Sequence, residues 1–241
     1  MVRGLKASPL ASWPLLLSPR NADLAAALCA SLPGVRVATD NQAVIDAVER
    51  VILAVRPQVA EAVLRPLAIA PDKLVISLIA GLPIEAVTSW TGASRVCRAV
   101  PLPFVERCRD VIPVFPPEPE ALELFNALGR ALPVADLAAF EIYSASSALM
   151  GTYFGILETA EAWAVAEGLP QADARAYLSG LFGNLGDVLR GSTEPLHGLR
   201  VAHSTQGGLN EQVFARFSDA GGGAALAKAL GSVLDRLRGG R

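Results

Sequence analysis

Charge, histidine and cysteine are all scarce in this chain of 241 residues. Charged side chains make up only 18% and the net charge is −2, with basic residues scattered rather than striped, so nothing marks a nucleic-acid surface. The two histidines, His197 and His203, stand in no acidic or cysteine cluster at ligand spacing and in no Ser/His/Asp arrangement. A metal centre and triad hydrolysis therefore have no residues to rest on. Cys29, Cys97 and Cys108 are odd in number and form no Cys-x-x-Cys pair, which fits structural thiols in a reducing, cytoplasmic environment. Long uninterrupted apolar runs are missing too. The uncharged stretch Ile142–Leu157 is rich in Ser, Thr and Gly and too short to span a bilayer, so it reads as a buried helix. Arg3 and Lys6 precede an apolar stretch, as in a secretory leader, but Pro9 and Pro14 interrupt it and no cleavage site follows.

Apolar residues are abundant, at 52%, enough for a sizeable core. The most informative segment is Val51–Val87, where Val-Ile-Leu-Ala-Val-Arg-Pro-Gln (51–58) and Leu-Val-Ile-Ser-Leu-Ile-Ala-Gly (74–81) are short β-branched runs closed by breakers. Runs that are apolar without alternation suit strands buried on both faces of a parallel sheet, and Val59–Leu67 has the spacing of a crossover helix. Further strands are expected at Trp13–Leu17, Val35–Ala38, Arg95–Val100, Val111–Phe115 and Leu132–Val134. Helices are expected at Asp23–Leu32, Asn41–Glu49 (capped by Asp40 or Asn41), Pro83–Trp90 and Glu120–Leu128. Alternation of this kind predicts an α/β fold with a parallel sheet and right-handed crossovers. From Asp136 onward only alanine-rich helical stretches remain, over 137–167, 171–190, 210–218 and 224–238, with Gly221-Gly222-Gly223 as a flexible joint. The domain boundary is expected near residue 135. Ligands of doubly wound sheets bind at the carboxyl ends of strands, which puts Ala54-Val55-Arg56-Pro57 and Ala80-Gly81 at the rim of a crevice.

Several stretches, in order, resemble the pyrroline-5-carboxylate reductase family. Ala54-Val55-Arg56-Pro57-Gln58 is similar to its Ala-Val-Lys-Pro-Gln, and Val75-Ile76-Ser77 with Ala80-Gly81 to its next strand and turn. Ala99-Val100-Pro101 stands where the family has Ala-Met-Pro. Glu158 with Ala166–Pro170 resembles its long helix and exit turn, and Ser204–Gly208 its Ser-Pro-Gly-Gly signature. The resemblance implies a Rossmann-type domain followed by an all-α dimerisation domain, with a homodimer formed through the helices. It further implies hydride transfer from a nicotinamide to a cyclic imine, giving proline. Cofactor contacts then fall at Ser18, Arg20, Asn21, Asn41, Ala54, Val55, Arg56, Pro57, Ala80 and Gly81, and substrate contacts at Ser146, Thr205 and Asn210. Arg20 after the strand, with no acid before Asp23, favours NADP over NAD, because an arginine suits the 2′-phosphate.

The departures are specific. The substrate motifs differ: Val100-Pro101-Leu102-Pro103-Phe104 replaces Met-Pro-Asn-Thr-Pro, and Leu209-Asn210 replaces Thr-Thr. Asn210 then takes the position of the threonine that bonds the substrate ring nitrogen, a role an amide can also fill. The substrate is accordingly 1-pyrroline-5-carboxylate or another imino or 2-oxo acid. The β-hydroxyacid dehydrogenases share the architecture, but Gly151–Glu161 holds neither the Lys nor the Asn of their long helix. No Gly-x-Gly-x-x-Gly occurs, and Met1–Leu5 resembles the tail of the helix that follows that loop. The first strand and phosphate loop are thus expected upstream of Met1, and a non-catalytic dimeric homologue is the reading of another class. Without the pyrophosphate cradle, residues 1–241 are expected to bind NADPH weakly. Calorimetric titration checks this, and micromolar affinity would overturn it.

Overall fold

The computed structural model describes residues 1–239. They form two compact units, residues 1–147 with the chain end from Leu234, and residues 148–233.

The first unit begins with α1 (Val2–Lys6), β1 (Leu15–Leu17), α2 (Ala22–Ser31), β2 (Val35–Val37), α3 (Asn41–Ala47), β3 (Arg50–Leu53) and α4 (Pro57–Leu64). It continues through β4 (Leu74–Ser77), α5 (Ile84–Thr91), β5 (Arg95–Ala99), β6 (Asp110–Phe115), α6 (Pro119–Ala127), β7 (Gly129–Pro133) and α7 (Leu137–Ser146). The alternation of strands and helices is the expected α/β pattern. In β4, Leu74, Val75 and Ile76 are fully buried, as a strand covered on both faces requires. Leu74 and Ile76 join one core cluster with Ile112, Val114 and Phe125, while Val75 points the other way into a second cluster with Ala60, Leu64 and Val87. Helix ends follow local chemistry: Asp40 Oδ1 accepts from Ala43 N at 2.8 Å, Pro57 occupies the first turn of α4, and Lys73 Nζ donates to the Ile45 and Val48 carbonyls at the end of α3.

Two features depart from a single parallel sheet. The strands fall into two ladders, β1-β2 and β3-β4-β5-β6-β7, and among the described residues no strand bridges β1 and β3. Side chains do meet there, with the Arg50 guanidinium 4.7 Å from the Trp13 ring centroid. The second feature is β6, which runs antiparallel to β5 while every other pair is parallel. A parallel crossover takes about a dozen residues or more, and the short link from Val100 to Arg109 holds a 3₁₀ turn at Pro103–Arg107 instead.

The second unit contains α8 (Leu149–Ala166), α9 (Gln171–Gly191), α10 (Leu196–Ala202), α11 (Leu209–Asp219) and most of α12 (Gly222–Leu237). The helical stretch expected over 137–167 is two helices: α7 stays with the first unit, and the chain breaks at Ser147-Ala148 before α8. The change of texture near residue 135 marks where strands end, after β7. Helix α10 was not legible, since Pro195 and Gly198 interrupt a short segment. Only Gly221, at φ 82°, is a joint, because Gly222 and Gly223 already belong to α12.

Gly129 opens β7 at φ 146°, and a Cβ there would run into the Asp110 backbone of the neighbouring strand. Gly129→Ala is expected to lose at least about 2 kcal/mol through strain plus displacement of Asp110. Urea unfolding checks this; an unchanged midpoint would refute the tight approach.

Candidate active site

Strands β3, β4 and β5 are parallel neighbours, so their carboxyl ends share one edge of the sheet. Beyond that edge the first unit encloses a cavity of about 360 Å³, lined by Ser77–Gly81, Arg98–Pro103, Val105, Phe140, Ser144, Ser147 and Leu237 as well as Met1. Its walls are mostly apolar, with a few polar groups converging, which is the general make-up of a small-molecule site. Gly81 turns the chain after β4 at φ 70°, a left-handed conformation that favours glycine. A smaller cavity of about 240 Å³ adjoins the same residues and is lined by Gly81, Glu85, Arg98, Glu141 and Arg238, among others.

Asp110 sets the position of the wall after β5. Its side chain is buried and accepts from Leu102 N at 2.5 Å through Oδ2 and from Val111 N at 2.9 Å through Oδ1. Burial pushes its carboxyl above the usual range, opposed by these two backbone bonds. Arg98, on β5, is 7% exposed, and its guanidinium lies 4.8 Å from the centroid of the Phe140 ring. Burial pulls its pKa below the ordinary value, partly offset by Glu141 and Glu85, and an arginine so placed keeps its charge. Neither Asp110 nor Arg98 was singled out from the sequence. The signal was there in Arg98, a full charge between Cys97 and Ala99 on an inner strand.

The residues expected at the cofactor are placed as follows. Ser18 Oγ donates to Asn41 Oδ1 at 2.6 Å, joining the turn after β1 to the start of α3. Arg20 lies in that same turn, where its backbone N donates to Ser18 Oγ, and Asn21 caps α2 by accepting from Leu24 N at 3.1 Å. Ala54–Arg56 leave β3, with Arg56 and Pro57 forming the entry to α4, while Ala80 and Gly81 line the cavity itself. Among the substrate candidates, Ser146 Oγ donates to the Ile142 carbonyl at 2.8 Å and does not line the cavity, although Ser144 and Ser147 do. Thr205 and Asn210 belong to one turn of the second unit. There the Thr205 carbonyl accepts from Gly208 N at 2.8 Å, and Asn210 Nδ2 donates to the His203 carbonyl at 2.7 Å.

The comparisons with known proteins bear on the fold and on family likeness. Residues 15–81 match the family described as NADP oxidoreductase coenzyme F420-dependent. Over 151 residues the chain is 32% identical to a pyrroline-5-carboxylate reductase of Methanosarcina acetivorans, a match covering 58% of this chain and 56% of that relative. The structure is similar to a 1-pyrroline-5-carboxylate reductase from Streptococcus pyogenes, with a TM-score of 0.84 at 21% identity, over 99% of this chain and 93% of that one. It is also similar to a Plasmodium falciparum pyrroline carboxylate reductase solved with NADP bound, with a TM-score of 0.74 at 16% identity, over 86% and 82%. The sequence match thus spans little more than half of either chain, and the solved structures, at 21% and 16% identity, share the fold.

Asp110→Ala leaves the partly buried Leu102 and Val111 backbone N–H groups without their side-chain acceptor and is expected to cost roughly 1 to 2 kcal/mol. Denaturant titration measures it, and a loss below about 0.5 kcal/mol would show that the Leu102 clamp does not hold the cavity wall.

Proposed function

We propose that this chain is an NADP-dependent reductase of a cyclic imine, of the pyrroline-5-carboxylate reductase family. The observation that carries the reading is the cavity at the carboxyl edge of β4 and β5, where Ala80-Gly81 and Val100-Pro101 meet. Those segments flank the edge where a doubly wound sheet receives its ligand, and the resemblance to the family runs through both. Arg20, in the turn after β1, carries a guanidinium of the kind suited to a 2′-phosphate. NADPH supplies the hydride when bound. Glycine 81 gives room for a close approach of the backbone, and Ala80 adds little bulk.

The protein's own part is orientation. A protonated imine is already a good electrophile, so the site needs polar groups that fix the ring more than it needs a strong acid or base. Asn210 and Thr205 of the second unit are proposed for the ring nitrogen. The Asn210 amide oxygen is the acceptor left over once Nδ2 has bonded the His203 carbonyl. A dimer through the helical unit belongs to the same reading. Its support is the apolar surface that unit exposes, with Phe154 at 63%, Trp163 at 66% and Tyr177 at 71%, far more than scattered surface residues require. The changed wall Pro101-Leu102-Pro103 favours a second substrate within the class, an imino acid other than 1-pyrroline-5-carboxylate.

The test is a reductase assay of the full-length gene product over a panel of cyclic imines with NADPH and NADH, alongside sedimentation analysis. NADPH-dependent reduction of at least one cyclic imino acid by a dimer is expected. Absence of turnover with every imine and both nicotinamides would favour the non-catalytic homologue, and a monomeric species would remove the dimer.

A further inference from the structure

We propose that Arg98 is the carboxylate receptor of the cavity, taking the carboxylate of a small cyclic imino or amino acid on the edge of its guanidinium. The inference rests on the reductase reading for the ring. For the anion it rests on the arginine's surroundings. Arg98 is 7% exposed, yet among the described residues it has no hydrogen-bond partner and no carboxylate at ion-pair distance. Among the described residues, every fully buried side-chain nitrogen or oxygen has a partner. The unpartnered guanidinium nitrogens are therefore ones that solvent reaches, and Arg98 lines both cavities. A buried cation whose donors open only onto a cavity is a group waiting for an anion.

The neighbours do not fill that need. The Arg98 guanidinium carbon lies over the Phe140 ring, 4.8 Å from its centroid, a contact that uses none of the five N–H donors. Glu141 is already tied to Arg238, whose Nε lies 3.0 Å from Oε2. Glu85 lines the smaller cavity and reaches no ion-pair distance to any described residue. A planar carboxylate fits the arginine fork with two parallel hydrogen bonds, a match that a phosphate monoanion or chloride does not improve in so apolar a setting. Leu78, Pro101, Val105 and Leu237 supply the apolar walls against which a small ring packs. A volume of about 360 Å³ is several times that of a five- or six-membered ring, which leaves room for the ring beside a nicotinamide.

Calorimetric titration of the wild-type protein with L-proline and with L-prolinamide tests the proposal, because the two differ only in the carboxylate. Proline is expected to bind at least tenfold more tightly than prolinamide. Arg98→Gln is expected to weaken proline at least tenfold while barely changing prolinamide, and Arg98→Lys, which keeps the charge but not the fork, to fall between. Equal affinity for the two compounds, no proline binding by the wild type, or full proline affinity in folded Arg98→Gln would each overturn the assignment. The wild-type comparison decides the matter even where a variant does not fold. Failure separates cleanly from failure of the reductase reading. Imine reduction with Arg98-independent proline binding sinks the receptor alone, whereas Arg98-dependent proline binding without any imine reduction sinks the reductase alone.

Discussion

Burial of β4 on both of its faces is the constraint on which the first unit depends. Leu74, Val75 and Ile76 leave no side chain exposed, so helices or strands must cover each face, and the parallel neighbours β3 and β5 must run in register with it. Parallel register brings three carboxyl ends to one edge. The loops after those ends are then the only parts of the strands' chain free to diverge in conformation and chemistry. The cavity lies at that edge because the strands are buried everywhere else.

Its polar groups show how a low-charge protein places charge. Asp110 is buried and satisfied, fixing Leu102 through backbone bonds. Arg98 is buried without a hydrogen-bond partner among the described residues, 4.8 Å from the Phe140 ring centroid, and lines the cavity. One carboxylate closes its own network and serves architecture. One guanidinium leaves its network open and is available for recognition. The difference lies in where each hydrogen-bonding edge points, since both residues are about equally buried.

The helical unit follows another rule. Its long helices α8 and α9 pack together, Tyr153 meeting Phe182 edge-on at 5.9 Å, but they leave large aromatic side chains in solvent. Ala164 and Ala174 are its only buried hydrophobics among the described residues. Helices rich in apolar residues that bury so few of them present a surface suited to further association.

Much of this was legible in the chain. The unbroken apolar runs at Val51 and Leu74 carried the strand assignment, because a strand covered on both faces cannot alternate. Asp40 announced its helix start through an acceptor oxygen one residue ahead of the first turn. Family resemblance located the cavity rim at Ala80-Gly81 for the same reason, since local turn chemistry is written locally. What only the tertiary structure decided depends on residues far apart in sequence. The reversal of β6 follows from a link too short to cross the sheet, and the division into two ladders from which strands find a neighbour. That Arg98 lacks a partner among the described residues while Asp110 has two is a property of the packed neighbours Phe140, Leu102 and Glu141. No spacing in the sequence reports it, because a hydrogen bond left unmade is visible only once every nearby group has been placed.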